Sequence, residues 1–426
     1  MDVNALDNEH ATLLHFLASH WKLDIARVLL DHFAIANAES VLIQTTLHVS
    51  TLFPDVVRLL LELGVDVNTQ DKDQSTTLHI ACRLGHLDTT LVLLDHGAEV
   101  SARNAKGQTP LHQASLRYGG TGTVQILLDR GVDVNVRDKD MDTPLHLACF
   151  IGDYNVVKAL VNHGAELNAQ NSNGQTPLHR LNFCTDPVVR LLLERGADVN
   201  ARDKDKATRL HLACNRPSGG AVKILLAHGA EGDAQDADGK TPLHRASLAA
   251  SQDKYRQSSS GTARRLLKHG VDVNARDKDQ ATPLHLASYS GDADVAEVLL
   301  EHGAWANAMD IRGQMPLHQV LLGAHNYRRY CRNSGSQKRD PGKAVRLAKR
   351  LLEHGADVNA RNEDHETPLH LASRLRLHEM AQFLLMHGAD VNAKNSDGKS
   401  SLQIASGRKG KAMKRLLLAS KYDTSS

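Results

Sequence analysis

The chain has 426 residues, 41% of them hydrophobic and 23% charged, with a net charge of +2. This composition excludes a disordered chain, and so small a net charge gives no overall pull toward nucleic acid or membrane. No apolar run is long enough to cross a bilayer, and Met1-Asp2-Val3-Asn4 opens neither a basic nor an apolar leader, so neither a spanning helix nor a secretory signal is expected.

From the first fifty residues onward a tetrapeptide close to Thr-Pro-Leu-His returns about every 33 residues. Its histidines are His15, His48, His79, His112, His146, His179, His211, His244, His285, His318 and His370, with Gln403 in a twelfth copy. The fifth copy shows what one period encodes. Thr143 is a natural N-cap, and Pro144 sits where a missing N–H costs nothing. Leu145 and Ala148 face inward until Gly152 breaks this first helix. Val156, Val157, Leu160 and Val161 form the apolar stripe of a second helix, which Gly164 ends in a left-handed cap. A polar turn, Asn171-Ser172-Asn173-Gly174, leads to the next copy. Two short helices with one apolar side each cannot bury that side alone, but stacked copies can.

The glycine closing the second helix recurs at Gly64, Gly97, Gly131, Gly196, Gly229, Gly270, Gly303, Gly355 and Gly388. The first copy has Phe33 there, and Arg376 stands where Gly152 and Gly291 turn the chain in sister copies. Thr77 and Arg209 replace the proline and Met315 the threonine, so these copies should keep the fold with weaker caps. Eight further histidines (His32, His96, His163, His228, His269, His302, His354 and His387) precede the closing-glycine slot, where a donor suits a helix C-terminus. Cys82, Cys149 and Cys214 share one slot in alternate copies, too far apart for disulfides. Cys184 and Cys331 bring the count to an odd five, and all five read as reduced, inert thiols. No metal-type spacing and no nucleotide-binding or hydrolase signature occurs, so no cofactor and no enzyme activity are expected.

A second period is twice as long. Odd copies follow a charged turn, as at Asp138-Lys139-Asp140, Asp203-Lys204-Asp205 and Asp277-Lys278-Asp279, whereas even copies from the fourth on follow a glycine turn. Irregular stretches fall on even copies: 117–122, 182–187, a lengthened stretch at 251–261, and the longest, a basic loop expected at 323–342 between two helices. Tyr327, Arg328, Arg329, Tyr330, Arg332, Lys338 and Arg339 lie in or beside this loop, followed by Lys343, Arg346, Lys349 and Arg350. Such a cluster suits an acidic or phosphorylated partner or an import signal. Arg256-Gln257-Ser258-Ser259 reads as a basic-directed phosphorylation pattern, with Ser259 the candidate.

The Thr-Pro-Leu-His-x-Ala core on its fixed period resembles the ankyrin repeat family over nearly the whole chain. The resemblance implies an all-α repeat: one ankyrin solenoid over residues 1–420, its helix-turn-helix units joined by β-hairpin-like turns. About twelve repeats run from 9–38 to 398–419, with a polar tail at 420–426. It also implies that the tetrapeptide histidines hydrogen-bond within and between repeats. In function it implies a monomeric cytosolic or nuclear scaffold or adaptor that binds unidentified proteins through hairpin fingers and first-helix faces. Neither nucleic acid nor membrane is then an expected partner. Asn200, Asn359 and Asn392 resemble asparagines hydroxylated in some animal ankyrin proteins. The alternative readings are a nuclear regulatory or nucleic-acid-associated protein using the basic stretch 324–350 and the basic C-terminal unit, or an accessory fragment of a longer array.

Overall fold

The computed structural model describes residues 46–182, 186–215, 219–249, 256–334, 342–405 and 410–423; the first repeat expected at 9–38 lies outside them. Among the described residues the regular structure is helical, with two isolated antiparallel bridges, Gln70 to Thr76 and Lys394 to Ser400, and no strand. The chain divides into two compact units, Met1–Lys204 and Asp205–Ser426. Within each, a short first helix and a second helix alternate, and consecutive first helices pack on one another, as do consecutive second helices.

The fifth repeat follows its sequence closely. Its helices are Pro144–Ile151 and Tyr154–Asn162. Gly152 is left-handed at φ 80°, and Gly164 at 85°. Leu145, Ala148, Val156, Val157 and Leu160 are buried. Asp153 caps the second helix by accepting from the backbone of Asn155 and Val156. The leucine of every described tetrapeptide, from Leu47 through Leu369, is likewise withdrawn from water. Burial of these repeated leucines, valines and alanines is the main cohesive term between neighbouring repeats.

Arg376 adopts the left-handed turn at φ 57° that glycine supplies elsewhere. A Cβ there costs roughly 1 kcal/mol. Arg376→Gly is therefore expected to raise stability by about 0.5–1 kcal/mol, read as a higher urea midpoint in equilibrium unfolding. An unchanged or lower midpoint would count against strain at this turn.

Two expectations about even repeats need correction. The stretch 323–342 is not a loop through most of its length: the first helix of the tenth repeat runs from Pro316 to Ser334, 19 residues against eight in the ninth. Gly323, read as a loop start, is right-handed and helical. A Cβ on it would lie 2.0 Å from the Tyr289 carbonyl oxygen, so its role is close approach to the ninth repeat and not termination. In the eighth repeat, likewise, the stretch 251–261 is helical from Arg256, in the helix Arg256–Lys268.

Candidate partner-binding surface

Most finger tips are built on an Asp or Asn whose side-chain oxygen accepts two amides further along the turn, while Asn362 accepts the amide of Glu366 and Asn395 that of Lys399. Asp138 takes those of Asp140 and Asp142, Asn171 those of Asn173 and Gln175, and Asp277 those of Asp279 and Ala281. The fourth residue of every tip is left-handed. In glycine turns it is Gly107, Gly174, Gly239, Gly313 or Gly398; in charged turns it is Gln74, Met141, Lys206, Gln280 or His365. The two turn types are therefore one backbone design.

Tips are joined in a row by backbone hydrogen bonds. In the N-terminal unit Ala105 donates to Asp73, Lys139 to Lys106, Ser172 to Asp140 and Lys204 to Asn173. In the C-terminal unit Ala237 donates to Asp205, Lys278 to Asp238, Ile311 to Asp279 and Ser396 to Asp364. Four glycines admit the next tip closely. A Cβ on Gly174 would lie 2.8 Å from the Lys204 nitrogen, and one on Gly239 2.9 Å from that of Lys278.

This geometry separates the candidate residues. Asp138 and Asp277 are buried builders of their turns, while Lys139, Asp140, Lys204, Asp205, Lys278 and Asp279 stand in solvent and Asp203 is half-buried. Charge alone could not tell builder from presenter. The signal was the Asn or Asp at the same register in the uncharged tips: Asn104, Asn171, Asp236, Asp310 and Asn395. Sequence reasoning also missed a polar network beneath the tips of even repeats. There Gln113 donates to Gln108, which donates to Asp138; Arg245 pairs with Asp236; and Gln319 donates to Asp310. From His79 to His370 the position after the tetrapeptide histidine alternates between Leu or Ile and Gln or Arg, and that pattern could have revealed it.

The histidines fall into two classes of opposite tautomer. In the tetrapeptide class Nδ1 accepts the threonine amide, as at Thr143 to His146 at 3.1 Å, so Nε2–H donates to the next repeat's carbonyl, here Gln175 at 2.9 Å. The same bridge joins His79 to Gln108, His244 to Ala281 and His318 to Glu366. Burial holds these imidazoles below their ordinary pKa of 6.5. Histidines before the closing glycine instead donate Nδ1–H back along their own helix, as His163 does to Ala159 at 2.8 Å. Cys82, Cys149 and Cys214 are buried thiols in no disulfide, and burial pushes Cys82 up to about 12. Cys184 and the Cys331 side chain lie outside the described residues.

The basic cluster of the tenth repeat is only partly available. Tyr327, Arg328 and Arg329 are exposed on the long helix, with Arg328 donating to the Arg376 carbonyl. Tyr330 and Arg332 belong to the same helix, though their side chains are not described, and Lys338 and Arg339 lie outside the described residues. On the following helix, Gly342–Glu353, Arg350 pairs with Glu297 and Glu353, and Lys349 with Glu353. Ser259 is fully buried on its helix, so a kinase would reach its hydroxyl only if that helix swung out.

Among the described residues no group of His, Cys, Asp or Glu is placed to hold a metal ion, and no helix is long and apolar enough to cross a membrane. Family models described as ankyrin repeats match residues 47–138, 116–203, 182–256, 238–278, 266–318 and 351–405. The chain belongs to the ankyrin repeat family. A transient receptor potential cation channel subfamily A member 1 homolog of Caenorhabditis elegans is 35% identical over 115 residues, 26% of this chain and 10% of that protein. Ankyrin repeat and SOCS box protein 11 of Danio rerio is 35% identical over 104 residues, 24% of this chain and 35% of the relative. Mouse inversin is 30% identical over 118 residues, 27% of this chain and 11% of its own length. The matched regions thus span about a tenth to a third of these ankyrin relatives. Among solved structures, the ankyrin repeat domain of Bcl-3 is 32% identical, covering 51% of this chain and 98% of its own, with a TM-score of 0.44.

Proposed function

We propose that the chain is a protein-interaction scaffold or adaptor of the cytosol or nucleus that holds partners on its finger tips and first-helix faces, without catalysis of its own. Ankyrin repeats generally mediate protein–protein interaction, which supports the class. The observation that carries the surface is the row of tips: backbone bonds tie each tip to the next, and builder aspartates hold the turn so that the residues after them point into water. Ordered turns presenting side chains lose little conformational freedom on binding.

The test replaces only presenters. Lys139, Asp140, Lys278 and Asp279 are changed to alanine together, leaving Asp138 and Asp277 intact, and partners of the full chain are compared by quantitative affinity purification. The expected result is an unchanged melting temperature with partners depleted about tenfold, as loss of a hot-spot contact gives. An unchanged partner set would move the binding surface elsewhere.

A second reading, a nuclear regulator using the basic cluster, draws support from residues 301–350, which carry ten Lys and Arg against three Asp and Glu. Arg328→Glu with Arg329→Glu should then abolish nuclear accumulation. An unaltered distribution would remove that reading.

A further inference from the structure

The helix Pro316–Ser334 brings together two basic segments that are far apart in the chain. Beyond Gly323 it runs past the point where the first helix of the ninth repeat turns at Gly291, and both neighbouring repeats hold it there. Asn326 donates to the Tyr289 hydroxyl of the ninth repeat at 2.8 Å, and Arg328 donates to the Arg376 carbonyl of the eleventh at 3.1 Å. The second bond sets the Arg328 guanidinium against the backbone of residue 376, with Arg329 next to it on the helix. All three arginines are exposed.

The fold supplies little to neutralise them. Residues 324–334 contain no Asp or Glu, and Glu379 is the one acid of residues 373–380. In the fifth and ninth repeats a capping aspartate, Asp153 or Asp292, follows the turn glycine, whereas in the eleventh Leu377 follows Arg376. Among the described residues Arg374 is paired with Glu366, Arg328 spends its bond on a neutral carbonyl, and neither Arg329 nor Arg376 is in an ion pair. Arg376 also keeps, under strain, a left-handed turn that glycine makes freely in those sister repeats.

We propose that Arg328, Arg329 and Arg376 hold the phosphate of a phosphorylated partner protein segment. The proposal rests on the protein-binding reading above and names a partner class for one first helix. A phosphoryl group on a side chain carries close to two charges and three acceptor oxygens, which suits several guanidiniums with a single acid nearby. A lone carboxylate would leave most of that surplus unmatched. The cluster is also confined to one edge of two repeats. A nucleic acid strand running on along that edge would meet Asp294 and Glu379, both in the first turns of second helices, so one phosphate fits better than a row of them.

The probes are degenerate peptide libraries with a fixed phosphoserine, phosphothreonine or phosphotyrosine, compared by fluorescence anisotropy on the full chain with the same libraries unphosphorylated or carrying Glu at that position. The variants are Arg376→Gly, which restores the sister residue, and Arg328→Gln with Arg329→Gln. Phosphorylated peptides should bind, and should lose at least about tenfold in affinity without the phosphate and about tenfold in each variant, as loss of one charge-assisted hydrogen bond gives. Arg376→Gly should melt no lower than the parent, so its weaker binding could not be laid to unfolding. Unchanged affinity in either variant, equal binding of the unphosphorylated or Glu peptides, or no binding at all would overturn the proposal and leave the protein-binding reading to its own test at Lys139 and Lys278. Single-stranded RNA held more tightly than any phosphopeptide, and released by the same variants, would make the occupant a nucleic acid and overturn it as well.

Discussion

Between about pH 7.5 and about pH 5 the protein should lose stability steeply, because its folded state shelters a column of neutral imidazoles. Burial depresses the pKa of His79, His112, His146, His211, His244, His285, His318 and His370. As pH falls through 6.5 the unfolded chain takes up protons that the folded chain refuses. The histidine contribution is therefore complete above that value and is lost progressively below it. Each site adds a slope of at most about 1.4 kcal/mol per pH unit. Protonating Nδ1 would also cancel its acceptance of the threonine amide, a bond of 3.1 Å at Thr282 and His285.

Urea melts across this pH range give the slope, and His285→Gln supplies the control. The chain already contains that solution: Gln403 occupies the slot and accepts the Ser400 amide through Oε1 at 2.8 Å. The variant should flatten the slope by up to one proton while retaining the cap. A stability profile level from about pH 7.5 to about pH 5 would refute the neutral pocket.

The second large effect concerns two glycines with the same backbone and different neighbours. Gly239 and Gly398 are left-handed at φ 77° and 71°. The tip of the following repeat crowds Gly239, whereas nothing lies within 4 Å of a Cβ on Gly398. Gly398→Ala should thus carry only the left-handed penalty, roughly 1 kcal/mol. Gly239→Ala should add overpacking against the Lys278 backbone, for a total on the order of 2–4 kcal/mol. Equal losses for the two in equilibrium unfolding would mean that the tip-to-tip contact does not constrain the turn.

Much of this was legible because one period is written many times over. Thr143, Pro144, Gly152 and Gly164 carry their local instructions in the chain, and each does in the structure what its chemistry dictates. In the tenth repeat the stretch from Gly323 was expected to be a loop, yet the helix runs on to Ser334. Whether a glycine ends a helix or lets one pass close to a neighbour depends on Tyr289, which is distant in sequence. For the same reason the paired roles within Asp277-Lys278-Asp279 were hidden. Which carboxylate turns inward is decided by amides two and four residues along, not by composition.

The alternation of tips limits how such a chain can change length. A glycine tip receives the amide of the following charged tip at 3.0–3.3 Å, whereas a charged tip receives that of the following glycine tip at 2.7–2.9 Å. Excising one module would butt two tips of the same kind together, a junction found nowhere in the described chain. Excising an adjacent pair would recreate junctions it already uses. Insertions and deletions in the gene should therefore survive in multiples of two modules.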